Sequence, residues 1–406
     1  MTETVREIVT TLAEARDTQL AQVVALVDTM RDRGAADALI APLRARLLRL
    51  RPARRPRFGR VLFTPFDPVI VAPAAWRDRT ATLPRTALAP IEGIVRAGLG
   101  SGVAAIEAAI AEASGADPLA VARLGAILWK PASEALRRAP DNPPAAWVDA
   151  GLPAALFHPI RLAVATVLAA ASEIEALSQR GRGDAPRPEE LERLLAAALA
   201  DKAGACGMLG AVLLARLPHV SAEILLALGA LGKPEANAAP MPAQHAVEAA
   251  LGQLDSAAAE VGSAPLPDAA RAIERAALLL DGLGRNAGPV RRERLEMLRA
   301  ALDGRSRERF AETLTHLLAE LTQESPDAAV LAPALEASAR DLRRFETAAR
   351  QLGGGASYDQ ALRRAAEQVF AMPDSAALSR VDRLRLAEIL AGPEQALGLF
   401  GLGRRP

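Results

Sequence analysis

The chain has 406 residues, half of them apolar but only 3% aromatic, with 49 basic and 48 acidic side chains. A net charge of +1 excludes a protein that gathers polyanions through its overall field, so any anion binding must be local. The single cysteine, Cys206, excludes an internal disulfide and fits a reducing, cytoplasmic setting.

The apolar half is mainly Ala and Leu. Both are strong helix formers, and Ala buries little area, so stability is expected from many closely packed helices rather than from one dense core. Only Lys130, Lys202 and Lys233 are lysines. The remaining basic residues are Arg, a bias that a GC-rich bacterial genome supplies without selection for anion binding.

The N-terminus has no basic segment followed by an apolar run, so no signal peptide is expected. Val5, Ile8, Val9 and Leu12, then Leu20, Val23, Val24 and Val27, recur at helical spacing. After Gly34, Leu39, Ile40, Leu43, Leu47 and Leu48 continue the pattern, which predicts a helical hairpin over residues 1–50.

Residues 51–86 break it. Arg51, Arg54, Arg55, Arg57 and Arg60 follow Arg44, Arg46 and Arg49, with no acidic residue between Asp37 and Asp67. This cluster is the candidate contact for an anion or a partner. Phe58, Phe63, Phe66 and Trp76 come next, interleaved with Pro65, Pro68 and Pro73. Proline lacks an N–H and biases its predecessor to extended backbone. Val61 to Val71 is therefore expected as an extended apolar strap, anchored by Phe63, Phe66 and Trp76.

An Ala-rich helical domain is expected over residues 87–232, with glycines separating helices near 98–102 and a loop at Ala139–Pro144. The longest uncharged run near the middle of the chain, Ala203 to Ala215, is 13 residues and too short to cross a bilayer. Pro234, Pro240 and Pro242 mark a linker. A second helical domain follows over 243–406, with helices separated near Gly304, a flexible joint at Gly353–Gly355, and a helix opening at Ser375.

The fold class expected is all-α: an array of antiparallel helix pairs, as in a bundle or an irregular α-solenoid, with one extended strap. No fixed repeat period is present.

Catalytic patterns are sparse. His158, His219, His245 and His316 form no metalloprotease or di-iron pattern. Glu312, His316 and Glu320 share a helix face at i, i+4 and i+8, a spacing usual for solvated charges. Cys206 has the apolar neighbours of an inert buried thiol, and Arg182-Gly-Asp184 reads as chance.

No cofactor, metal or transmembrane segment is expected, nor an enzyme. The leading functional expectation is a non-catalytic scaffold with a protein partner. The alternatives are a nucleic-acid-associated protein using Arg44–Arg60 and an apolar-ligand-binding helical protein.

Overall fold

The computed structural model describes residues 56–76, 81–113, 119–180, 185–199, 203–231, 242–285, 287–322, 328–372 and 378–399. The expected hairpin over 1–50 lies outside them. The described residues form an all-α protein with sixteen α-helices and one minimal pair of strands. They divide into two compact units, one from residues up to 64 and 88–139, the other from 65–87 and 140 onward.

The first unit contains α1 (Phe58–Phe63), α2 (Leu88–Leu99), α3 (Gly102–Glu112) and α4 (Ala120–Arg138). The segment expected as an extended strap is instead helical over most of its length. Phe58–Phe63 is α-helix, Thr64–Val69 is 3-10 helix, and only Ile70–Val71 is a strand, β1. The reason is local. Pro56 precedes the helix and Pro65, Pro68 and Pro73 follow it, so no proline blocks the turn and a half of α-helix over Phe58–Phe63. Pro65 and Pro68 then enter a tight helix whose dihedrals suit a fixed φ near −65°.

Val61, Leu62 and Phe63 are buried, and the Trp129 indole Nε1 donates a 2.9 Å hydrogen bond to the Val61 carbonyl. That bond ties α1 to α4. The helices α2 and α4 also meet closely. A Cβ added to Gly98 would come within 2.6 Å of the Ala135 Cβ.

In the second unit β1 pairs in parallel with β2 (Leu83–Pro84). Then come α5 (Ala145–Asp149), α6 (Phe157–Gln179), α7 (Pro188–Leu199), α8 (Ala203–Arg216), α9 (Ser221–Leu231) and α10 (Pro242–Ser263). They are followed by α11 (Leu266–Gly284), α12 (Pro289–Thr322), α13 (Ala328–Ala349), α14 (Gly355–Phe370), α15 (Arg380–Ala391) and α16 (Pro393–Leu399).

Alternate helices pack side by side. One row runs α6, α8, α10, α12 and the other α7, α9, α11, α13, α15, with consecutive helices joining the rows. The apolar run at 203–215 is the centre of this packing. All residues from Cys206 to Leu214 are buried, as a helix apolar on every side must be.

The helix α6, with the turn before it (Ala154–Gln179), is the one single helix among the described residues long and apolar enough to cross a membrane; more than half of its apolar window is buried within the protein. Two bent pairs, Arg85–Leu99 with Gly102–Glu112 and Cys206–Arg216 with Pro218–Gly229, meet that test only if each is counted as one span.

Two boundaries differ from expectation. The helix α12 continues through Gly304, because that glycine is exposed while Leu302, Ser306 and Phe310 carry the buried stripe past it. The last long helix, α15, begins after Ser379 rather than Ser375. Ser379 Oγ accepts from the Asp382 N–H at 3.2 Å and the Asp382 carboxylate accepts from the Ser379 N–H at 3.3 Å, a reciprocal cap.

Close helix contact makes a sign prediction. Replacing glycine by alanine inside a helix gains about 1 kcal/mol of propensity. Gly252→Ala, with no atom within 4 Å of the new methyl, is expected to raise the melting temperature. Gly98→Ala is expected to lower it, since overpacking costs about 1–3 kcal/mol. Thermal denaturation of both variants by circular dichroism checks the opposite signs.

Candidate functional site

The basic segment is only partly visible. Arg51, Arg54 and Arg55 lie outside the described residues. Arg57 and Arg60 are exposed, at the N-cap and in the last turn of α1. Their aromatic neighbours face inward. Phe63 is 5% exposed and Phe66 is fully buried, while Trp76 is half-buried. The Phe58 ring lies under the Arg96 guanidinium at 4.1 Å, and Arg96 also bonds Glu92 at 2.8 Å and Glu107 at 2.6 Å. Phe58 and Phe63 therefore join the first unit's core and Phe66 that of the second, leaving Arg57 and Arg60 at the surface.

Two polar constellations have no local signature in the sequence. At the start of α6, Asp141 Oδ1 accepts from Arg161 Nη2 at 2.6 Å and lies 2.7 Å from His158 Nδ1. Arg161 is 2% exposed, and the carboxylate that neutralises it belongs to a loop twenty residues earlier. A buried guanidinium is costly unless paired, so Asp141 holds the 139–144 loop to α6.

The larger constellation is the joint of α12, α13 and α14. Glu346, 1% exposed, accepts from Arg343 Nη1 at 2.8 Å and from Arg350, and Arg350 also grips Asp359 across the Gly353–Gly355 turn. Below the turn Arg307 bonds Asp303. Gly354 has φ +74° and its position would bring a Cβ within 2.9 Å of Arg307 Nε, so this glycine serves both a left-handed turn and a close approach. The segment expected as a flexible joint is clamped by ion pairs.

Charge and burial set the acidities here. The hydrogen bond to Asp359 leads in holding the Arg350 guanidinium above its ordinary value, and Arg350 in turn holds the Asp359 carboxyl below its own. Burial, with Asp303 next, pushes the Tyr358 phenol up to about 12. Tyr358 is 1% exposed, its ring meets Phe310 edge-on at 4.9 Å, and its hydroxyl is buried with no hydrogen-bond partner.

The other chemical candidates are dispersed. Burial pushes the Cys206 thiol up to about 11, which leaves it protonated and unreactive at neutral pH. His316 is exposed and lies 3.2 Å from Glu320, while Glu312 faces solvent beside Arg309. Among the described residues no three His, Cys, Asp or Glu side chains converge as a metal site.

A cavity of about 210 Å³ opens between α11 and α12, lined by Leu280, Asp281, Arg292, Leu295, Glu296 and Arg299. Two guanidiniums face two carboxylates there, and Arg299 is already bonded to Asp281 and, at 3.2 Å, to the Gln351 carbonyl.

No protein-family model, curated protein or solved structure matches the chain. The arrangement itself is one of helices pinned to helices: Arg294 to Glu248, Arg193 to Glu173 and Arg385 to Glu336 all cross between helices.

An unbonded buried hydroxyl costs about 1–3 kcal/mol. Tyr358→Phe keeps the edge contact with Phe310 and removes the orphan group, so it is expected to stabilise the protein by about 1 kcal/mol. Urea denaturation of the variant checks this. A loss of stability would show that the hydroxyl is bonded in solution.

Proposed function

We propose that the protein is a non-catalytic helical scaffold for a protein partner, with its second unit an irregular α-solenoid of antiparallel helix pairs. The supporting observation is the alternate packing of α6 to α15 in two rows. The connection between α10 and α11 is only Ala264–Pro265 and the two helices pack against each other, as expected of an antiparallel pair. Stacked pairs of this kind bury their apolar stripes against one another and leave long outer faces for recognition.

The helix α12 offers such a face. Its 34 residues extend about 51 Å at 1.5 Å per residue. Leu295, Leu302, Phe310, Leu317 and Leu321 turn inward. Outward, Val290 is 81% exposed and Met297 60%, one heptad apart among charged side chains. Exposed aliphatic groups rimmed by charge are the composition of a protein-binding patch. Five of the seven arginines on this helix, Arg294, Arg299, Arg305, Arg307 and Arg309, are each paired with a carboxylate, which favours a protein partner over nucleic acid there.

A photo-crosslinking amino acid at position 297 tests the reading in native extract. The expected result is a discrete protein adduct that survives nuclease treatment and disappears when Val290→Ser is added. That surface change is expected to alter stability by no more than about 0.5 kcal/mol. Absence of an adduct, or one lost to nuclease, would contradict it.

A further inference from the structure

We propose that the cavity between α11 and α12 binds a free aliphatic α-amino acid as its zwitterion. Its base is apolar, since Leu280 and Leu295 line it and are 3% and 5% exposed. Its mouth carries charge of both signs. Arg299 is bonded there to Asp281, so that pair is already neutral. Arg292 and Glu296 also line the cavity, and among the described residues neither belongs to an ion pair. Arg292 Nη2 donates a 3.4 Å bond to the Ala287 carbonyl. A cation and a carboxylate four residues apart on a helix are within reach of each other. Here both are exposed, unbonded to one another and open to the same cavity.

One open charge of each sign over an apolar base defines the ligand. A carboxylate would take the forked donors of Arg292. An ammonium would meet Glu296, and an aliphatic side chain would lie on Leu280 and Leu295. A fatty acid or a simple amine would leave one of the two charges unmatched. Volume sets the upper limit. The cavity holds about 210 Å³, below the roughly 300–1,000 Å³ of a pocket for a drug-sized ligand, so a nucleotide does not fit. At about 3.6 residues per turn, Arg292, Leu295, Glu296 and Arg299 lie on the side of α12 opposite Val290 and Met297. The site is therefore separate from the face proposed for a protein partner.

The test is equilibrium dialysis of the full chain against radiolabelled L-leucine. The expected result is saturable binding at one site per chain. Leucinamide lacks the carboxylate, N-acetyl-leucine lacks the ammonium and glycine lacks the side chain. Each is expected to compete at least about tenfold more weakly than unlabelled L-leucine, having lost one of the three contacts. Arg292→Gln and Glu296→Gln each remove a charge-assisted hydrogen bond and are each expected to weaken binding about tenfold or more. Both positions are exposed, and circular dichroism checks that the fold is kept. Gly284 lines the cavity, and a Cβ there would meet no atom within 4 Å. Gly284→Leu is therefore expected to occupy the site and abolish uptake; if it unfolds, the two exposed variants carry the test. No uptake at millimolar L-leucine, equal competition by any of the three analogues, or binding indifferent to the folded variants would overturn the proposal.

Discussion

The fold depends on how closely its helices can approach at small residues. Gly98 lies against Ala135, Gly210 against Leu228 and Ala246, and Gly282 against Ser221. Each such contact brings two backbones together but buries less apolar area than a contact between large side chains. A chain with 3% aromatic residues therefore gains stability by multiplying neighbours. Two rows of helices do this, because each interior helix touches the next in its row and those beside it in the other. The fully buried turns of α8 follow from the same constraint.

Electrostatics finishes what the small residues begin. Surface pairs such as Arg340 with Glu336 are each worth little. The buried charges matter more, since removing one partner strands the other. Arg161 with Asp141 fixes a loop to the first helix of a row, and Glu346 with Arg343 and Arg350 fixes the turn from α13 into α14. Both stand where the chain changes direction, at a loop and at a turn without an apolar stripe of its own.

Much of the helical content was legible because the apolar positions repeat at helical spacing; the run at 203–215 also declared its burial by having no polar side. The strap segment is less extended than its prolines suggest, because those after Phe63 do not restrict the turn before it and because Pro65 and Pro68 suit a 3-10 helix. Gly304 reads as a break when met alone, although the stripe through Leu302, Ser306 and Phe310 runs past it. The polar constellations had no local signature. Arg161 and Asp141 are twenty residues apart, and Arg350 and Asp359 become neighbours only through a left-handed glycine turn.

If packing between neighbouring helices carries the stability of the second unit, that stability must be graded along the chain. Hydrogen–deuterium exchange of the native protein measures it helix by helix. The account predicts the slowest exchange in α8 and α11, which have neighbours on the most sides, and progressively faster exchange through α14, α15 and α16 at the end of the rows. A single opening free energy shared by every helix from α6 to α16 would contradict it, because that is the behaviour of one cooperative core.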